Sequence, residues 1–164
     1  MRASADAHLA ALGASLGRTL DFGAEGTLEL RFDDGLSVTL ERVAENALYV
    51  YTALGNAPNE ANALRALLEA HFFGSMGGPA RFAIDPSSGE LLLMQDIDLS
   101  RCAPHELPVV LDGFLVQARQ WRERVPMIAT KTAQTGRPDR EPPDRFGPSS
   151  PNDFSGSNFS ALRA

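Results

Sequence analysis

The side chains able to do acid–base or nucleophilic chemistry in this 164-residue chain are few: three histidines, one cysteine and scattered carboxylates. Cys102 and His105 stand close in sequence, the one thiol beside an imidazole. Such a pair runs nucleophilic catalysis when the imidazole takes the thiol proton and a third group orients it. No nearby residue supplies that third group, so a small cysteine enzyme is a weakly supported alternative. His71 falls among apolar residues, which suits a core or interface histidine. His8 and His105 sit near expected helix starts and read as exposed. No histidine or cysteine pair has the spacing of a zinc site. The stretch Gly74–Gly78 lacks the lysine of a phosphate loop, and Lys131 is the sole lysine. Asp33 and Asp34 read as a turn, and Asp96 and Asp98 as a solvated strand end. Neither pair meets the needs of a calcium loop or a glycosidase. The sequence therefore predicts no catalytic constellation, no metal site and no cofactor.

The elements that would position these residues follow from hydrophobic spacing. Leu9, Leu12, Leu16 and Leu20 recur at offsets of three and four, which predicts a first helix over 4–20, capped by Ser4. Leu28, Leu30 and Phe32 alternate with polar residues in a strand. Asp33-Asp34-Gly35 turns the chain, and Leu36, Val38 and Leu40 alternate again. The run 47–54 is a third strand of an antiparallel meander. Residues 59–73 read as a second helix, with Leu64, Leu67, Leu68, His71 and Phe72 on one stripe. Gly74 is its expected cap, and Ser75–Pro79 a mobile loop. Two strands follow, 80–84 and 90–97, joined by a turn at Asp85-Pro86. The run Leu91–Met94, apolar on both faces, suggests a central strand covered twice. A last helix over 105–124 carries Leu107, Val110, Leu111, Phe114, Ala118 and Trp121 on its apolar face, with Pro108 tolerable in the first turn. The order α-β-β-β-α-β-β-α is that of an α+β fold with a five-stranded, mostly antiparallel sheet and three helices.

Composition sets the boundary and the class. Prolines 126, 138, 142, 143, 148 and 151 crowd the C-terminal end, and 130–158 has no hydrophobic period. We expect a folded domain over 1–124 and a Pro/Gly/Ser-rich disordered tail over 125–164. The tail carries five basic and four acidic residues, so the folded part bears the acidity, with a net charge of −7. An acidic domain is a poor partner for nucleic acid or an anionic membrane surface. No apolar run approaches the ~20 residues of a membrane span. A lone cysteine fits a reducing cytosol, and Arg2, Asp6 and His8 interrupt any signal-peptide core. What stands out is excess apolar surface for so thin a domain, and such surface marks a partner.

The stretch Leu67-Leu68-Glu69-Ala70-His71-Phe72-Phe73-Gly74, then Gly77-Gly78, Ala83-Ile84-Asp85-Pro86 and Gly89-Glu90-Leu91-Leu92-Leu93, resembles the centre of class I type III secretion chaperones. These form the Tir-chaperone (CesT/SycE-like) family, and the element order matches over about residues 4–123. This sequence departs from the family pattern in Met76, His71, Pro108 and the long tail. The resemblance implies a bacterial cytoplasmic homodimer that binds the N-terminal chaperone-binding region of one or more secreted effectors. The effector is held extended and delivered to the secretion apparatus, whose ATPase is a further candidate partner. The resemblance assigns effector contacts to Leu9, Leu12, Leu16, Leu28, Leu30 and Phe32, and the dimer interface to Leu64, Leu67, His71, Phe72, Phe82 and Ile84. For each of the effector-contact residues, burial in the chain's own core is the competing reading. A same-fold adaptor or regulator docking on the machinery without an effector client is the runner-up.

Overall fold

The structure, a computed structural model, describes residues 5–72 and 78–134. Its elements are α1 (Ala5–Ser15), β1 (Thr27–Arg31), β2 (Ser37–Ala44), β3 (Ala47–Asn56), α2 (Ala61–Phe72), β4 (Arg81–Ile84), β5 (Glu90–Asp98) and α3 (Leu107–Gln134). A 3-10 turn, Pro104–Glu106, leads into α3. This is the expected order and the expected α+β class. The five strands form one sheet in the order β1-β2-β3-β5-β4, and every pairing is antiparallel. Since α2 intervenes between β3 and β4, the chain returns at the far edge and β5 fills the gap.

The period-two pattern decides which face is dry. Val38 and Leu40, then Leu48 and Val50, then Leu91 and Leu93 are sealed, while their alternates are half-buried. Leu92 and Met94 are among the half-buried ones, so β5 has one sealed face, not the double cover expected. Helix α3 lays Leu107, Leu111, Phe114, Ala118 and Trp121 on the core. Trp121 meets Phe82 of β4 edge to face, with ring centroids 4.9 Å apart. The β1–β2 turn is tied to α3: Arg119 Nε donates to Asp34 Oδ2 at 2.7 Å, and Arg122 donates to the Asp34 carbonyl at 3.1 Å.

Three further expectations need correction. Helix α1 stops at Ser15, not near residue 20. Gly17 adopts φ 64°, its N–H donates to Ala14 O, and Arg18 N–H donates to Gly13 O at 2.9 Å. That pair of bonds around a left-handed glycine is a Schellman cap, and it ends the helix. His8 is not exposed. It is fully buried, with Nε2 2.7 Å from the carbonyl oxygen of Cys102.

The third concerns the boundary after residue 124. Helix α3 runs on to Gln134. Val125 is buried and Ile128 packs against the core, so the apolar stripe runs past the expected boundary at 124 and past Pro126. Ser4, Gly74, the loop residues 75–77 and the tail beyond 134 lie outside the described residues. No described helix is long and apolar enough to cross a membrane.

Candidate functional site

Two open grooves flank the segment Arg18–Asp21. The first, about 410 Å³, lies between α1 and this segment and is lined by Asp6, Leu9, Ala10, Ala14 and Phe22 with Arg18–Asp21. The second, about 400 Å³, runs from the same segment along Leu28–Arg31 of β1. The glycine cap creates this arrangement, because it turns the chain off α1 and lays Arg18–Asp21 between helix and sheet. β1 is an edge strand, so its outer side has main-chain groups that no strand of the sheet pairs. An extended peptide can add there by β-augmentation.

The residues first assigned to this surface divide. Leu9, Leu12 and Leu30 are sealed in the subunit's own core. Leu9 and Leu30 reach the groove walls with almost none of their surface, and Leu12 lines neither groove. Leu28 and Phe32 are half-buried, and Leu28 lines the second groove. Leu16, carried off the helix stripe by the cap, is 41% exposed. Leu20 and Phe22 line the first groove, and neither was assigned to the effector surface from sequence. Leu20 reads as part of the helix until Gly17 is recognised as its end.

A second apolar surface lies on α2 and β4. Leu68 is 67% exposed, Phe72 82% and Ile84 48%. Leu64 is half-buried, and His71 is exposed. Leu67 and Phe82 instead pack inward, Leu67 into the core and Phe82 onto Trp121. Leu68 was placed on the helix stripe but not assigned to an interface, and it is more exposed than the assigned Leu67.

The sequence's candidate nucleophile is not activated. Burial pushes the Cys102 thiol pKa up, and the nearby Glu106 carboxylate pushes it further the same way. Its Sγ is 3.6 Å from the Ala103 carbonyl oxygen. A protonated thiol is a poor nucleophile. Among the described residues no group of three metal-binding side chains comes together.

The described residues thus form two grooves of mixed polar and apolar lining beside an edge strand, with no activated nucleophile or metal cluster among them. The family model of the Tir chaperone protein (CesT) family matches residues 8–122. The chain belongs to the Tir chaperone (CesT) family. It is a type III secretion chaperone. Among curated proteins no sequence matches it. Among solved structures it is similar to the chaperone in the HopA1–SchA chaperone–effector complex: TM-score 0.58, 23% identity, covering 70% of this chain and 90% of that one. It is also similar to the *Yersinia pestis* type III secretion chaperone SycH in complex with a stable fragment of YscM2: TM-score 0.57, 20% identity, 71% and 98% covered. A third likeness is to the heterodimeric ExoU–SpcU complex of the *Pseudomonas aeruginosa* type III secretion system: TM-score 0.58, 22% identity, 76% and 96% covered. At these identities the structures speak for the fold. The family match stops at residue 122, inside α3.

Proposed function

We propose that the two grooves and the outer edge of β1 receive an N-terminal effector segment in extended form. The observation that carries this reading is that both grooves share the wall Arg18–Asp21, one beside α1 and the other along the edge strand β1. Binding a disordered client costs ~2–5 kcal/mol or more in ordering. Apolar side chains entering the grooves offset that at ~25 cal/mol per Å² buried. Main-chain bonds along β1 add register without demanding a sequence. The chaperone itself needs no reactive residue for this, and no catalytic role is proposed.

The exposed stripe on α2, with Ile84 beside it, supports a homodimer. Within it we keep Leu64, His71, Phe72 and Ile84 of the original assignment, add Leu68, and leave Leu67 to the core. The pair of subunits then holds one client in the bacterial cytoplasm and presents it to the secretion apparatus, with its ATPase as the receiving partner. Co-expression with N-terminal effector segments of the native host tests the reading. The expected result is a stable complex that Ala14→Trp weakens at least about tenfold by filling the first groove. A complex indifferent to that change would sink the groove assignment. Capture of an apparatus protein and no effector would favour the adaptor.

A further inference from the structure

The last turns of α3, beyond the residue where the family match ends, supply most of a third groove. Trp121, Arg124, Met127, Ile128 and Lys131 of α3 line it with Ala70 of α2, and it measures about 310 Å³. A shallower hollow of about 380 Å³ shares Met127 and Lys131 with it and adds Pro126 and Thr130. Met127, common to both, is 62% exposed. The deeper groove is mainly apolar with a cationic rim. Arg124 lies over the Trp121 ring at 5.3 Å and makes no ion pair among the described residues.

We propose that these two hollows receive the chain's own residues 153–162, with the Phe154 and Phe159 rings on Met127 and Asp153 at the cationic rim. The tail is then a strap across the seam between α2 and α3. Three observations select it over a separate molecule. The first is reach. Helix α3 ends at Gln134, and the far wall at Trp121 lies about 20 Å back along the helix. Residues 135–152 can span up to about 60 Å, so the tether allows the contact. A tethered guest also meets its groove at an effective concentration of about millimolar, which a free partner has to supply by abundance. The second is composition. After Gln134 the large apolar residues are Phe146, Phe154, Phe159 and Leu162, and the last three crowd into one stretch without a charged residue. The socket's thioether, indole and guanidinium favour aromatic guests. The third is charge. Asp153 opens that stretch, and the rim offers Arg124 and Lys131. Strap and socket also share an origin, because most of the groove and all of the tail lie past residue 122, where the family match stops.

Oxidation of Met127 in the full chain by dilute peroxide, followed by peptide mass spectrometry, tests this. Methionine oxidation tracks exposure, so the double variant Phe154→Ser/Phe159→Ser should oxidise at Met127 at least about threefold faster than the unmodified chain. Met94, half-buried on β5, should oxidise equally in both and so reports an intact fold. Arg124→Glu should also speed Met127 oxidation, and Asp153→Lys added to it should restore part of the protection. The protection should not change on dilution of the protein. Equal Met127 rates with and without the two rings overturn the strap. Protection that disappears on dilution assigns the groove to a second copy, and protection that arises only with bound client assigns it to the client. Either result overturns the inference.

Discussion

Leu67 and Leu68 are neighbours on α2 and face opposite fates: the first is 2% exposed and the second 67%. Successive helical residues lie about 100° apart, so a stripe wide enough to include both puts one at the core and the other at its rim. The two leucines therefore separate folding from association. Leu67→Ala should cost about 2–5 kcal/mol of unfolding free energy, the usual range for a buried leucine. Leu68→Glu should leave the subunit's melting temperature nearly unchanged and convert a dimer to a monomer in light scattering.

The cap of α1 makes a second prediction. A Cβ on Gly13 would lie 2.5 Å from the Arg18 carbonyl oxygen, and Gly17 holds φ 64°. Gly13→Ala should destabilise by about 1–3 kcal/mol, because a backbone carbonyl has to move. Gly17→Ala has open space around it and should cost only the conformational penalty, about 1 kcal/mol. Urea titration ranks the two. Because the cap also sets the path of Arg18–Asp21, both variants should bind client more weakly than their stability loss alone explains.

Acid should loosen the tie between the β1–β2 turn and α3. The Asp34 carboxyl is held below its usual range, first by the Arg119 hydrogen bond, then by the Leu36 backbone N–H. A lowered folded-state value means that the stabilisation is present above the ordinary aspartate range, ~4, and fades as pH falls through the lowered value. Asp34→Asn should lower the melting temperature at neutral pH and flatten its decline below about pH 4. Parallel declines in the two proteins would show that Asp34 contributes nothing to the acid response.

Cys102 should behave as a packing residue. With its thiol pKa raised, alkylation at pH 8 should run slower than that of free cysteine, and Cys102→Ala should leave client binding unchanged. Loss of client binding on that substitution would reopen the case for thiol chemistry.

Much of the fold was legible because it rests on local periods. The alternation in Leu28–Leu40 and Leu48–Val50 made strands, and the Asp-Gly turn joined the first two. Strand order was not legible: β5 lies between β3 and β4 by a long-range pairing that leaves no mark in local spacing. His8 was misread for a similar reason, since the carbonyl that receives it lies at Cys102, far along the chain. The extent of α3 was there to be read. Trp121, Val125 and Ile128 keep the four-three spacing of the earlier stripe, but Pro126 and the polar composition beyond it drew the boundary too soon. The grooves were only half visible, because the hydrophobic pattern names apolar residues without saying which are sealed below a surface and which form it.

Pro126 has no N–H to offer the Arg122 carbonyl one turn earlier, so the ladder of α3 misses a rung there, while Thr130 Oγ1 donates to the Pro126 carbonyl at 2.9 Å. A helix interrupted in this way has a joint. Amide protons past the proline should exchange through local opening, on their own clock, while those around Phe114 wait for the whole subunit to unfold.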